Sequence, residues 1–491
     1  MAKKRNVKKT PLKQPSTLFS RIRGLANGTV TIRNKTFPRA LLIGLLGVVC
    51  MYAGVAGTVS VATPWISSSD SKQHIDYVWR VYHGELPRWE DGLRYPAFTT
   101  SGYSGRQAAS ANPPLFYVVH APFVGPLLAR GNLHAAIGVG RVINLLIGVG
   151  CIAALAWGGW LMAGRRRALF AVAVPALGVL MYRFTRLNQD YALDPLLVLF
   201  STLSLILSYK LVYKGPNKKL LVWLVLLSCA GMLTKVPYIL FVGLNLLAVG
   251  LHYLIRYKHN LKKVIFQTAG VSVLVVAAIT ITSGWFYYLW NYKTNGSPLQ
   301  SSPLDYSGGR SFQSLSDVLL GSKLWGLVYA GYARYLEVSL AVLSFCIAGC
   351  LSLSRKELKG LIGGPKRRSV LAIFALAWLG VSVIQIKLAF GYGSINFRYL
   401  LSALLPMGLL FSFGLLQFRN MRGQLVTLAA CALGVSSLMG LMRGHLGKLH
   451  GDTAANGLPG MIVTLLLLLF AAGTVLLSWS LFKLSDSYGS K

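Results

Sequence analysis

The sequence predicts an all-α membrane protein whose chain crosses the bilayer many times. Hydrophobic residues make up 54% of its 491 residues, and charged residues make up only 13%. Apolar runs of about 18 residues or more recur along the chain, and each can cross a hydrocarbon core about 30 Å thick. Because backbone polar groups cannot stay unpaired in lipid, these runs must form helices.

The basic residues predict how the helices are oriented. A net charge of +37 would suit a nucleic-acid-binding protein, but the Lys and Arg residues lie in short gaps between apolar runs. Residues 1–39 hold eleven of them and no acid, and further clusters lie at 165–167, 214–219, 256–263 and 355–368. This distribution follows the positive-inside rule, so we predict cytoplasmic gaps and no nucleic-acid partner. Residues 1–38 are predicted to be a basic cytoplasmic tail, disordered or lying against anionic lipid.

This orientation gives about twelve transmembrane helices, with eleven and thirteen as alternatives. The predicted spans are 39–63, 134–162, 168–185, 194–213, 219–234, 237–256, 264–290, 324–352, 369–388, 396–416, 423–442 and 459–482. A cytoplasmic tail, 483–491, follows, so both termini are predicted to be cytoplasmic in a multi-pass protein of the cell membrane. The first outer loop, 64–133, is predicted to carry short helices along the membrane surface, and a second sizeable outer loop covers 291–323.

Scarce ionisable groups gather on the predicted outer side. Five of the thirteen acidic residues lie between Asp70 and Asp91. Six cations fall within or at the ends of spans, and all six are at outer ends: Arg141, Arg183, Lys235, Arg334, Lys387 and Arg398. Snorkelling to lipid headgroups explains any one of them. For all six we favour a shared anionic ligand, because cations at membrane depth usually face a partner or a cavity.

Asp70 and His74 are the first candidate pair, since helical spacing puts them on one face of a short helix. Asp70 could act as a general base for an acceptor hydroxyl. An Asp after three serines is equally an N-cap candidate. A divalent metal site built on Asp70 and His74 is a third alternative.

Further candidates lie on three other outer segments. Asp190 and Asp194 are four residues apart, and Arg186 is four residues before Asp190. Asp194-Pro195 also matches a helix start, with an N-cap and a proline at the first helical position. Lys235 and the pair Arg398-Tyr399 lie at outer helix ends. Such cations can stabilise the negative charge that develops on a phosphate leaving group.

Several motifs, taken in their order along the chain, resemble those of GT-C glycosyltransferases, such as protein O-mannosyltransferases and the aminoarabinose transferase of lipid A. In the first outer loop the matches are Asp70, His74, Asp76-Tyr77, Gly84, Leu86-Pro87 and PPLFY at 113–117. Further matches are YALDPLL at 191–197, LTKVP at 233–237, GWFYYLWNYKTNGSPL at 284–299 and FRYLLSALLP at 397–406. The chain departs from many relatives at Ser71, where they have Glu, and at Asn112, where they have His.

The resemblance implies a GT-C fold and an inverting transfer at the outer face from a polyprenyl-phosphate-linked sugar. It implies that Asp70 is the base, that Asp194 is the acidic residue of the second outer loop, and that Lys235 and Arg398 lie near the lipid phosphate. We add substrate-binding roles for the remaining candidates: His74, Asp76, Asp190, Arg186, Arg334 and Tyr399.

Together with the membrane topology, the resemblance therefore implies an integral membrane hexosyl- or pentosyltransferase. Its partners would be the polyprenyl-phosphate sugar, membrane lipid, and an acceptor that is a protein, a lipid or a polysaccharide. No cofactor is required by this interpretation, and a divalent cation remains an alternative. Two other functions stay open: a transporter or flippase for a lipid-linked sugar, which would show paired halves and interrupted helices, and a non-catalytic scaffold with a GT-C-like fold.

Overall fold

The computed structural model describes residues 28–32, 35–62, 69–99, 107–180, 184–185, 191–295, 363–392, 397–417 and 460–489. These residues form a bundle of long helices with smaller elements at its two ends. The main helices are α1 (Arg39–Ala62), α2 (Ser69–Tyr82), α3 (Leu115–Ala129), α4 (Leu133–Met162), α5 (Arg167–Leu180), α6 (Asp194–Lys214), α7 (Lys218–Met232), α8 (Ile239–Arg256), α9 (Leu261–Ile279), α10 (Pro365–Tyr392), α11 (Leu404–Gln417) and α12 (Gly460–Gly489).

Local sequence explains where several of these helices begin. Asn132, Asn217 and Asn260 precede α4, α7 and α9, and each side-chain oxygen accepts a hydrogen bond from the backbone N–H three residues later. This bond satisfies a donor that the first helical turn leaves unpaired. The end of α6 is marked by Gly215, whose φ of 77° suits glycine.

The all-α membrane fold is confirmed, and the described helices follow the predicted spans closely. Seven of them are long and apolar enough to cross a membrane. Helices α5, α7 and α11 also match predicted spans but have only 14, 15 and 14 residues. The predicted spans 324–352 and 423–442 lie outside the described residues, so the total of twelve stays a prediction.

Helices α1 and α12 pack antiparallel through small residues. The Ser480 hydroxyl donates to the Ala40 carbonyl at one end, while Gly54 faces the Leu466 carbonyl nearer the other. A β-carbon added at Gly473 would lie 2.6 Å from the Met51 backbone nitrogen. The backbones therefore approach closely, as small residues allow in membrane helices. The start of α1 and the end of α12 consequently lie on the same side.

A two-stranded antiparallel hairpin precedes α1, formed by β1 (Thr29–Ile32) and β2 (Lys35–Pro38). For this stretch the structure corrects one of the two expectations, disorder, and leaves the other, contact with anionic lipid, as a prediction. β-Branched residues in β1 suit a strand. Phe37 packs on Trp160 near the end of α4, with ring centroids 5.6 Å apart, and so fixes the hairpin to the helical bundle.

The first outer loop has its own hydrophobic core, separate from the core of the bundle. It contains α2 and α3, single turns at Trp89–Asp91, Pro96–Thr99 and Ala108–Ala111, and the connections between them. The buried residues Val78, Phe98, Phe116 and Tyr117 pack here with Tyr191, which precedes α6. The prediction of short helices in this loop is confirmed.

Helix α9 continues as a π-helix over Thr280–Asn291, which covers the aromatic motif WFYYLWN. π-Helical turns are rare and often lie at functional sites. Tyr287 faces inward, and its hydroxyl donates to the Met232 carbonyl at the end of α7. On the other side, Trp290 donates its indole N–H to the Pro87 carbonyl, 3.3 Å away. The π-helix thus connects the bundle to the first outer loop.

Candidate functional site

Asp76 organises the first outer loop. Its carboxylate is fully buried and accepts four hydrogen bonds. Oδ1 accepts from the backbone N–H groups of Arg94 and Tyr95, both at 2.7 Å. Oδ2 accepts from Arg80 Nε at 3.0 Å and from Gln107 Nε2 at 2.7 Å. The donors come from three parts of the loop, so this one carboxylate holds those parts together.

Arg80 is the matching cation, and its side chain is also fully buried. Beyond Asp76, it donates to Asp91 at 2.7 Å and to the Gly92 carbonyl at 2.7 Å. Burial raises the pKa of the Asp91 carboxyl, but the backbone N–H of Arg88 and the Arg80 guanidinium lower it by more, so the net pKa is below its ordinary value. Asp91 therefore stays ionised against Arg80, and the loop is anchored by charge-assisted hydrogen bonds.

His74 lies in an aromatic stack between α2 and α3. Its Nδ1 is 2.8 Å from the Tyr117 hydroxyl, and the two rings stack at 5.8 Å. Tyr117 stacks on Tyr77 at 3.6 Å, and the Tyr77 hydroxyl donates to the Asn112 carbonyl at 3.1 Å. Burial raises the pKa of Tyr117 well above its ordinary value, with further contributions from Tyr77 and the Asp194 charge. The stack therefore lies within electrostatic reach of Asp194.

Lys235, Asp194 and Tyr399 come together at one end of the bundle. Lys235 Nζ donates to Asp194 Oδ1 at 2.7 Å, and it lies 4.7 Å from the centre of the Tyr399 ring. The side chains of Lys235 and Asp194 are only 11% and 4% exposed. Three motifs far apart in sequence thus supply a buried cation, a carboxylate and an aromatic face. We name these three residues the Lys235 cluster.

The local backbone holds the Lys235 cluster beside the first outer loop. Lys235 follows α7, and its N–H donates to the Gly231 carbonyl at 3.1 Å. The Leu233 carbonyl accepts from the N–H of Leu115, at the start of α3, at 3.0 Å. Asp194 begins α6, where the helix dipole favours a negative charge. Leu193, rather than Asp194, occupies the N-cap position, and the Asp194 carboxylate pairs with Lys235.

The other predicted site residues are described less fully. Asp70 lies in the first turn of α2, and Arg398 lies in the short helix Phe397–Ala403 that carries Tyr399. Only their backbone positions are described. Asp190, Arg186 and Arg334 lie outside the described residues. Arg141, one of the six predicted outer cations, donates to the Ser60 carbonyl at 2.6 Å and so satisfies the end of α1.

Several residues of this region were not predicted from the sequence. Gln107 is fully buried and joins Asp76 to the Gln73 carbonyl, 3.0 Å from its Nε2. His120 and Tyr191 lie behind the Phe116 ring, with their own ring centroids 5.3 Å apart. Burial lowers the pKa of His120 to about 4. The i, i+4 spacing of Asp76 and Arg80 could have predicted their pairing, although that pairing was not predicted, whereas no local pattern marks the long-range contacts of Gln107.

The described part of the chain contains no preformed metal site, because no three His, Cys, Asp or Glu side chains come together there. Asp190, which the sequence places near Asp194, is not among those residues. A divalent ion therefore stays an open alternative of the sequence interpretation.

Comparison with known proteins shows that the fold of this chain is similar to those of two solved proteins. No family model and no curated protein matches the chain. Among solved structures, it is similar to the archaeal oligosaccharyltransferase AglB from Archaeoglobus fulgidus in complex with an inhibitory peptide and a dolichol-phosphate. That match has 13% identity and a TM-score of 0.42, and it covers 91% of this chain and 56% of AglB. The chain thus spans little more than half of that protein.

A second similar protein is ArnT from Cupriavidus metallidurans. The form bound to undecaprenyl phosphate matches at 14% identity with a TM-score of 0.41, over 87% of this chain and 76% of ArnT. The apo form matches at 14% identity with a TM-score of 0.42, over 87% and 75%. Both neighbours are GT-C glycosyltransferases, the family that the sequence resembles. At such low identities and TM-scores, the likeness carries no argument about the site.

Proposed function

We propose that this protein is an inverting glycosyltransferase that moves a sugar from a polyprenyl-phosphate-linked donor to an acceptor hydroxyl at the outer membrane face. The observation that carries the proposal is the Lys235 cluster, a buried cation paired with a carboxylate beside the first outer loop. A desolvated ammonium is costly to maintain, and in membrane proteins such groups usually serve a substrate or an ion.

Lys235 is proposed to bind the phosphate of the donor. Its ammonium already contacts an anion, Asp194, at 2.7 Å. A phosphate oxygen can replace or share that contact, because both are anionic hydrogen-bond acceptors. Negative charge grows on the phosphate as the glycosidic bond breaks, and a cation fixed in a site of low dielectric stabilises that charge strongly. The Tyr399 ring, whose centre lies 4.7 Å from Nζ, adds a cation–π contact to the ammonium.

Asp70 is proposed as the general base. It would take the proton of the acceptor hydroxyl while that oxygen forms a bond with the anomeric carbon. The bond from the anomeric carbon to the phosphate oxygen breaks at the same time, and the polyprenyl phosphate leaves with the bonding electron pair. Attack opposite the leaving group inverts the anomeric centre. No general acid is needed, since phosphate is a good leaving group.

The remaining residues of the first outer loop position Asp70 in this scheme. His74 is one turn later on α2 and is held by Tyr117 at 2.8 Å. The Asp76 carboxylate already accepts four hydrogen bonds, so we assign it a positioning role instead of contact with substrate. Asp190, Arg186, Arg334 and Arg398 stay predicted substrate-binding residues.

The test is transfer from a radiolabelled polyprenyl-phosphate sugar in proteoliposomes that contain the full chain. Asp70→Asn keeps the size of the side chain but removes the base, and we expect transfer to fall by at least 100-fold. Glu90→Gln is the matched control, because it removes an exposed carboxylate of the same loop. Transfer by Glu90→Gln should stay within twofold of wild type.

Three outcomes would contradict the proposal. Wild-type transfer by Asp70→Asn would exclude this residue as the base. Movement of the labelled lipid across the bilayer without any transfer would favour a flippase. Binding of the lipid with neither transfer nor movement would favour a non-catalytic scaffold.

A further inference from the structure

The aromatic motif at 284–299 has no role in the reaction that we propose, yet its first half lies in the π-helix Thr280–Asn291. A π-helix closes hydrogen bonds between residues five apart, and here the N–H of Tyr292 donates to the Tyr287 carbonyl. Such helices usually last a single turn, whereas this one covers 12 residues. Its length indicates that its side chains have a structural task beyond one local irregularity.

The side chains of the π-helix divide into exposed and buried ones. Trp285 and Tyr288 are 40% and 66% exposed, whereas Phe286 and Tyr287 are buried. Phe286 packs edge-on against Tyr287, with ring centroids 5.6 Å apart. The hydroxyl of Tyr287 donates to the Met232 carbonyl, 55 positions earlier in the chain. The π-helix thus directs a hydroxyl into the bundle, to the backbone at the end of α7.

This hydroxyl completes the end of α7. The last four carbonyls of a helix have no partner within it. In α7 the first three of these accept hydrogen bonds from the three residues that follow the helix, at 2.8 to 3.1 Å. The fourth, that of Met232, accepts from Tyr287. A buried carbonyl without a donor is costly, so a residue distant in sequence stabilises the helix end that the neighbouring residues satisfy only in part.

Lys235 is tied to this helix end by its backbone. Its N–H donates to the Gly231 carbonyl at 3.1 Å, and its carbonyl accepts from the N–H of Tyr238 at 3.0 Å. Between these bonds the backbone of Lys235 is extended, with φ −162° and ψ 139°. Because Lys235 is three residues from Met232, a shift of the Met232 carbonyl would also move the base of the Lys235 side chain.

The π-helix is itself fixed to the first outer loop. Trp290 donates its indole N–H to the Pro87 carbonyl at 3.3 Å, and the guanidinium carbon of Arg88 lies 5.3 Å from the centre of the Trp290 ring. The loop also reaches the end of α7 directly, where the N–H of Leu115 donates to the Leu233 carbonyl at 3.0 Å. The segment that follows α7 is therefore held from two sides, by the π-helix and by α3.

We propose that Tyr287 positions Lys235 for the phosphate of the donor, an inference that rests on the proposed function. Tyr287 does not touch the phosphate; its hydroxyl fixes the backbone from which the ammonium extends towards Asp194 and Tyr399. Hydrogen bonds between an ammonium and an anionic oxygen are short, about 2.7–2.9 Å, so a small displacement of Lys235 weakens them. Loss of the Tyr287 hydroxyl should reduce the preference for phosphate and leave binding of the polyprenyl chain unchanged.

The test is binding of undecaprenyl phosphate and of undecaprenol to the full chain in detergent micelles, measured by native mass spectrometry. The two lipids share one chain and differ in the phosphate, so the ratio of their dissociation constants measures phosphate selectivity. Tyr287→Phe should bind undecaprenol as wild type does, which verifies folding, and should lose selectivity about fivefold. The matched control, Tyr288→Phe, removes the hydroxyl of the exposed neighbour and should change selectivity by less than about twofold.

A variant without the charge pair shows whether Tyr287 acts through Lys235. Asp194→Asn with Lys235→Met should lose selectivity about 30-fold, and adding Tyr287→Phe should cause no further loss. Wild-type selectivity in this double variant would overturn both the proposed role of Lys235 and that of Tyr287. Loss in the double variant but not in Tyr287→Phe would overturn the role of Tyr287 alone. A further loss in the triple variant, or an equal loss of both lipids in Tyr287→Phe, would overturn it in favour of general structural support.

Discussion

Removing the ammonium of Lys235 should destabilise the protein through the carboxylate that it leaves behind. In Lys235→Met, Asp194 stays at 4% exposure without the partner that now lies 2.7 Å away. At an effective dielectric constant of about 20, a charge pair at this distance interacts by about 6 kcal/mol. Desolvation offsets part of that energy, and breaking a buried pair from one side typically costs about 3–5 kcal/mol. Because Lys235 keeps 11% exposure, we expect a loss of about 3 kcal/mol.

A double-mutant cycle separates this electrostatic effect from any loss of packing. Asp194→Asn combined with Lys235→Met removes both charges, and its free energy of unfolding should return to within about 1 kcal/mol of wild type. Unfolding would be followed by circular dichroism in detergent micelles with added denaturant, with the exposed Lys262→Met as the control. Additive effects, with a coupling energy below about 0.5 kcal/mol, would refute the reasoning.

Three further predictions concern other parts of the fold. Arg80→Met should leave Asp76 and Asp91 without their buried cation and cost about 3–5 kcal/mol, seen as faster proteolysis of the first outer loop, whereas Arg130→Met at an exposed position should not. His120 has a pKa of about 4 in the folded protein, below its ordinary 6.5, so the unfolded chain binds more protons between these values. The free energy of unfolding should therefore be highest above pH 6.5 and lower by about 2 kcal/mol at pH 5. His120→Gln should abolish this pH dependence. Gly473→Ala should place a methyl group 2.6 Å from the Met51 backbone nitrogen and lower the melting temperature, while Gly243→Ala, which meets nothing within 4 Å, should not.

The membrane architecture was readable from sequence because it depends on local properties. Length and hydropathy determine which runs can cross lipid, and Asn residues before α4, α7 and α9 mark the helix starts. Lys235, Asp194 and Tyr399 were each assigned to an outer helix end, but their contact with one another was not predicted and comes from the structure. A shared membrane face limits how far apart such residues can be.

No local sequence pattern predicted the contacts between distant segments. Gln107 bonds to Asp76 across 31 positions, and nothing around Gln107 distinguishes it from a solvated glutamine. The stretch before α1 was predicted to be disordered or to lie against anionic lipid, yet it forms a hairpin whose Phe37 packs on Trp160. Tyr117 belongs to the PPLFY motif, but only the fold shows that its hydroxyl meets His74.

The pairing of α1 with α12 has a consequence for how the chain is made. The Ser480–Ala40 bond joins positions separated by 440 residues, so the glycine-lined face of α1 enters the bilayer long before its partner is synthesised. During that interval this face must be covered by lipid, by other helices or by the insertion machinery. Release of the nascent chain before α12 emerges would therefore leave α1 unsupported, and quality-control proteases would meet a membrane segment whose neighbours have not arrived.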